Sequence, residues 1–303
     1  MARASSTTAS AIQTAAQRVV VLGDIGDVLP RRRPSRMRGL GVSLEAMARP
    51  LIGVVHLLPL PSAPRHSSMQ EVLERALADA RSLRDGGVDG IVVENFGDAP
   101  FHRGGRDDPV PPDVPAAISL CAYLIRQETG LPIGVNCLRN DAAAAMGIAA
   151  ACGASWIRAN VWTSARLTDQ GIVQGDAASV LAYRKRLGSP VRVLADLFVK
   201  HSAPLADIDP AEAAKDLAER SGADGLILTG SRTGEGVDPE TLKIVRAAVA
   251  GFPIWIGSGL RPENAGDLWP LCDGAIVGTF FEKAPGGPVD GGKVAALRRL
   301  CPA

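Results

Sequence analysis

The residues most able to do chemistry in this chain stand at the ends of short apolar runs. His56, Asn136, Asp196 and Ser258 close one set of runs; Glu94, Asn160, Thr229 and Gly278 close another. Carboxylates, an imidazole and carboxamides converging on one mouth are the ingredients of general acid–base catalysis, in which one group takes a proton and a second returns it. In that chemistry Glu94 or Asp196 exchanges a proton with the substrate, His56 or His201 is the partner acid, and Asn136 and Asn160 orient hydroxyls. Lys200 offers an amine that either forms a Schiff base or clamps an anion. The carboxylates also have a competing role. Arg158 shares a strand face with Asn160, Arg192 shares one with Asp196, and a guanidinium inside a barrel needs a neutralising partner. No redox cofactor is required by this set, and a divalent metal held by His56, Glu94 and Asp196 is an open alternative.

A second group of residues suits an anion. SGLRPEN (Ser258–Asn264) and VGTFF (Val277–Phe281) put small residues where backbone N–H groups can approach a ligand closely. Gly257, Ser258, Gly259, Gly278 and Thr279 are therefore expected to form a phosphate cup. A helix starting near Pro262 and Glu263 would add N-terminal donors. TGSRTGEG (Thr229–Gly236) is expected to be a loop able to close over a ligand. The segment from Gly97 to Asp108, carrying Phe101, His102, Arg103 and Arg106, is a second candidate lid.

These positions matter together only if one architecture converges them. From Pro50 onward, short apolar runs alternate with segments of helical period. Four runs begin with proline, at Pro50, Pro132, Pro190 and Pro253, and four follow small residues, near Gly87, Gly153, Gly222 and Cys272. Helices are expected over 70–85, 113–128, 140–151, 177–187, 210–220, 239–249, 262–269 and 292–300. Eight such βα units in about 250 residues fit an α/β TIM (β/α)8 barrel, whose active sites form at the C-terminal strand ends. A doubly wound sheet would want a glycine-rich turn after the first strand, where this chain has His56, Leu57, Leu58 and Pro59.

Composition narrows the partners. The 303 residues carry 33 basic and 32 acidic groups, a net charge of +1 that supplies no drive toward nucleic acid or an anionic membrane. The most continuous apolar stretch, Ala142 to Ala154, is far shorter than the ~20 residues that span a bilayer, so no integral membrane segment is expected. Five cysteines without a CxxC spacing point away from disulfides and zinc and toward a reducing cytoplasm. Residues 1–49 differ in composition, with the run Arg31, Arg32, Arg33, and read as a poorly structured N-terminal extension, a targeting segment, or the result of a start codon upstream of Met37 or Met47. Residues 50–303 form the barrel, and a homo-oligomer is compatible with exposed barrel helices.

GVVHLLPLPSAPR (Gly53–Arg65), DGIVVENFGDAPF (Asp89–Phe101), GVNCLRNDAAAA (Gly134–Ala145), IRANVWTSARLTDQG (Ile157–Gly171) and ADLFVKHSAPL (Ala195–Leu205), together with the SGLRPEN to VGTFF end, closely resemble the BtpA/SgcQ family over about residues 45–283. The resemblance implies a barrel of the ribulose-phosphate-binding kind, in which SGLRPEN is similar to the phosphate loop of phosphoribosylanthranilate isomerase. The acid–base ring beside the expected phosphate cup points to isomerase or lyase chemistry on a small phosphorylated metabolite such as a sugar or nucleoside phosphate. The resemblance implies a rival class, a non-enzymatic biogenesis or assembly role for a membrane protein complex of the photosystem I type. One departure stands out: the resemblance implies a DVHVKH-like segment, and this chain has Phe198 at the histidine position.

Overall fold

The computed structural model describes residues 48–230 and 236–302. In chain order the elements are β1 (Leu51–His56), α1 (Met69–Gly86), β2 (Gly90–Glu94), α2 (Asp113–Thr129), β3 (Ile133–Asn136), α3 (Ala142–Cys152), β4 (Trp156–Ala159), β5 (Ala165–Thr168), β6 (Gly171–Gln174), α4 (Ala177–Arg186), β7 (Arg192–Asp196), β8 (Ser202–Pro204), α5 (Pro210–Arg220), β9 (Gly225–Leu228), α6 (Pro239–Ala248), β10 (Ile254–Ile256), α7 (Pro262–Leu268), β11 (Gly274–Val277) and α8 (Gly291–Leu300). Eight of the strands close a parallel barrel in the order β1-β11-β10-β9-β7-β4-β3-β2. This is the TIM barrel expected from the alternation, and the expected helices match the observed ones to within two residues at each end. Almost all of the expected extension, and residues 231–235 of the expected TGSRTGEG loop, lie outside the described residues.

Local chemistry explains the helix starts. Ser68 accepts from the Glu71 N–H, while Asp209 and Asp238 cap helices that open with Pro210 and Pro239, where a missing N–H costs nothing. Each barrel strand then sends alternate side chains to opposite layers. Ile91, Val93, Ile157, Ala159, Leu226, Leu228, Ala275 and Val277 pack outward against the helices. Ile52, Val54, Val92, Trp156, Leu194, Ile227, Trp255 and Ile276 fill the barrel interior. Gly134 makes that filling possible, because a Cβ there would overlap the Trp156 indole.

Three placements differ from the sequence reading. A second sheet, ordered β6-β5-β8, was not expected; its strands are three or four residues long and sit between barrel units. Arg192 opens β7 and Asp196 closes it, so Arg192 lies at the opposite end of the barrel from the mouth. At β10 the inward alternation that includes Trp255 continues to Gly257, and Ser258 is one position out of step with the other strand ends.

Candidate functional site

Parallel pairing sets the mouth in register: His56 pairs with Glu94, and Glu94 with Asn136. The Asn136 amide donates to Glu94 Oε2 at 2.6 Å. His56 stacks on Phe96, ring centroids 4.5 Å apart, and its Nε2 lies 3.9 Å from Glu94 Oε1. On its other side, Nδ1 is 2.6 Å from Glu282 Oε1. The second Glu282 oxygen accepts the Gly286 N–H at 2.8 Å, which fixes the carboxylate. Nδ1 is thus engaged by Glu282, and Nε2 is the ring nitrogen that faces Glu94.

Asp196 is committed elsewhere. Arg158 donates to both of its oxygens, at 2.9 and 3.0 Å, and Asn160 Nδ2 donates to Oδ2 at 3.1 Å. Burial works against the Arg158 charge, but the facing Asp196 carboxylate outweighs it and holds the guanidinium above its ordinary range. Asp196 lines neither cavity at the mouth, in contrast to Glu94, and it does not join His56 and Glu94 as a metal set; among the described residues no group of three or more His, Cys, Asp or Glu side chains could hold a metal ion. The expected trio therefore fails the fit for a divalent cation.

Two cavities open at the strand ends, about 360 and 350 Å³, and they share Glu94, Phe96, Arg158 and Lys200. All five expected phosphate residues, Gly257, Ser258, Gly259, Gly278 and Thr279, line the second, along with His56 and Arg261. Gly278 lies so close to the imidazole that a Cβ would come within 2.8 Å of His56 Cε1. Gly259 has φ +73°, a left-handed turn that favours glycine. The Ser258 hydroxyl accepts the Gly230 N–H at 3.3 Å, tying the β9 and β10 ends together. The expected helix start is α7, and its entry N–H, on Arg261, donates to Asn264 Oδ1 at 2.9 Å.

Asn136, Asn160, Lys200 and His201 line the first cavity with Arg139, Phe101, Leu138 and Asp169. Burial, reinforced by Arg158, pushes the Lys200 amine below its ordinary range. His201 has φ +53° and stands exposed at the rim. Of the expected 97–108 lid, Phe101 reaches the cavity, while His102 lies 3.6 Å from Asp108 within the loop. Phe198 lines neither cavity. It packs beneath the Arg166 guanidinium, 5.7 Å from the ring centroid, so the departure from the histidine bears on the β5–β8 sheet. That sheet is anchored to the mouth: the Asn140 amide donates to Val161 O and accepts the Val161 N–H, and the hairpin tip carries Asp169 to the cavity wall.

Sequence reasoning missed Glu282, Arg139 and Asp169. Glu282 follows Gly278 by four residues, so the VGTFF motif already pointed at its neighbourhood. Arg139 sits three residues beyond Asn136 and Asp169 at a hairpin tip, both outside the strand register that located the other residues.

The comparisons agree with this architecture. The BtpA family profile matches residues 47–301. An uncharacterized protein of Pyrococcus furiosus is 42% identical over 241 residues, covering 79% of this chain and 89% of its own. The photosystem I biogenesis protein BtpA of Synechocystis sp. is 43% identical over 235 residues, covering 77% and 80%. Among solved structures, orotidine 5'-phosphate decarboxylase of Pyrococcus horikoshii aligns with TM-score 0.51 at 18% identity, covering 84% of this chain and 100% of that one, a likeness of fold. Phosphoribosyl anthranilate isomerase of Thermus thermophilus aligns with TM-score 0.51 at 15% identity, covering 82% and 97%. On the profile match and the identities with these relatives, the chain belongs to the BtpA family.

Proposed function

We propose that this barrel is an enzyme performing isomerase or lyase acid–base chemistry on a small phosphorylated metabolite. The observation that carries the reading is the cavity shared by the His56–Glu94 pair and the glycine turns of β10 and β11, which sets a proton-transfer pair against an anion cup. Phosphate is held by backbone donors around Gly257, Ser258, Gly259, Gly278 and Thr279, with Arg261 at the rim. Glu94 moves the substrate proton, His56 is its partner through Nε2, and Asn136 fixes the Glu94 carboxylate. Lys200, with its lowered pKa, stabilises developing negative charge or condenses with a carbonyl. The fold neighbours named for phosphoribosyl and orotidine 5'-phosphate substrates support the substrate class.

Thermal-shift measurements on the full chain test this. Inorganic phosphate, glycerol 3-phosphate and pentose phosphates should raise the melting temperature, in proportion to a stabilisation of about 2.7 kcal/mol at a hundredfold excess over Kd. Glu94→Gln should retain that shift while abolishing exchange of the substrate's carbon-bound proton with solvent. Absence of a shift with every phosphorylated ligand would overturn the proposal.

A second reading, an assembly role, draws on the name of the Synechocystis relative and on one surface. Leu167 and Ile172 pair directly across β5 and β6, 49% and 46% exposed, and so present an apolar face away from the barrel. If that reading holds, Glu94→Gln restores photosystem I accumulation in a Synechocystis strain lacking its relative, whereas Leu167→Ser with Ile172→Ser does not.

A further inference from the structure

We propose that the Arg139 side of the mouth is a second anion subsite, so that the ligand is a small molecule with an anionic group at each end. This rests on the phosphate reading above and specifies what lies at the other end of the ligand. Arg139 is only 9% exposed and lines the first cavity. Its Nη2 donates to the Lys200 carbonyl at 2.6 Å, and among the described residues its guanidinium makes no other side-chain hydrogen bond and no ion pair. A guanidinium has five N–H donors, and leaving a buried one without a counter-charge is costly. Arg158 shows the contrast, since both of its Asp196 bonds are made.

The nearby carboxylates do not fill the gap. Asp196 is held by Arg158 and Asn160, Glu94 Oε2 is taken by Asn136, and Asp169 stands exposed at the hairpin tip. Burial accordingly lowers the Arg139 pKa despite these charges. An anion entering the cavity would meet the open face of the guanidinium together with the Lys200 amine.

Because the two cavities share Glu94, Phe96, Arg158 and Lys200, one extended ligand can place its first anion in the glycine turns and its second anion at Arg139.

Isothermal titration of the full chain tests the subsite. Ribulose 1,5-bisphosphate, whose second charge is a phosphate, and 3-phosphoglycerate, whose second charge is a carboxylate, are compared with glycerol 3-phosphate, which has one anion. At least one two-ended probe should bind about 10- to 100-fold tighter than glycerol 3-phosphate, and which one does so identifies the second anion. Arg139→Met should erase that preference and leave glycerol 3-phosphate affinity unchanged, which also shows that the variant is folded. Should Arg139→Met not fold, Arg139→Lys decides, with the preference reduced about tenfold for loss of the forked contact. Equal binding of all three ligands, or a preference that survives the substitutions, overturns the proposal. Inorganic phosphate separates this outcome from failure of the phosphate cup. Two phosphates per chain, one of them lost in Arg139→Met, support both readings. A single phosphate lost in Arg139→Met supports the subsite and overturns the cup; a single phosphate unaffected by it does the reverse. No bound phosphate overturns both.

Discussion

Replacing Asp196 with Asn removes one charge and almost no volume, and the structure gives the consequence a magnitude. The Asp196 side chain is 0% exposed and the Arg158 side chain 6%, so the pair is shielded from solvent screening. Its two hydrogen bonds are 2.9 and 3.0 Å long, and Asn160 adds a third at 3.1 Å. Breaking a buried pair from one side leaves a stranded charge and costs about 3–5 kcal/mol. In a domain of this size each kcal/mol moves the melting temperature by about 2–4 °C, so Asp196→Asn should melt roughly 6–20 °C below the parent. Urea denaturation followed by circular dichroism should show a lower midpoint with an unchanged slope. The double substitution Arg158→Leu with Asp196→Leu removes both charges and should recover most of the loss, because an apolar replacement of a buried pair is often neutral. A loss under about 1 kcal/mol for Asp196→Asn, or a double variant as unstable as the single one, would refute the assignment of Asp196 to holding Arg158 and return it to proton transfer.

Lys200 should behave as an amine of lowered pKa. Its folded value lies below the unfolded 10.5, so the folded state binds the proton less tightly; the resulting penalty is full below the folded value and vanishes as pH rises toward 10.5. Lys200→Met should therefore melt higher than the parent near neutral pH, with the gap closing at high pH, and a gap that widens with pH would contradict the sign. The thiols should be silent in the native state. All five cysteines are free and buried, and burial pushes Cys121 and Cys272 up to about 12 and Cys301 to about 11. A disulfide-exchange reagent at mild alkaline pH should titrate none before denaturation and five after it.

The barrel was legible because its information is periodic. A period of two splits Ile91 and Val93 from Glu94, and Ile157 and Ala159 from Asn160, and a closed parallel sheet has to obey that alternation at every strand. The β5–β6 hairpin escaped because it lies in the connection between β4 and α4, outside the alternation of barrel strands and helices that located the other elements. Ser258 is one position out of step because the inward set of β10 runs through Trp255 to Gly257, so the strand-end position equivalent to Glu94 falls on a glycine.

The site divides in the same way, and the division has a physical basis. His56, Glu94, Asn136, Asn160 and Asp196 occupy strand ends, so register alone brings them to one mouth. Register does not say which of them remains available. That is decided by partners the periodicity cannot reach: Arg158 occupies Asp196, Asn136 occupies one oxygen of Glu94, and Glu282, on the segment after β11, occupies one nitrogen of His56. On the function proposed above, subtracting those bonds leaves His56 Nε2, Glu94 Oε1, the Lys200 amine and the Arg139 guanidinium as the groups addressed to a ligand. With Arg158 spent on Asp196, the remaining charged side chains lining the two cavities are Arg139, Lys200 and Arg261 against Glu94 and Asp169, an excess of positive charge that on this reading selects an anion over a neutral sugar or a cation.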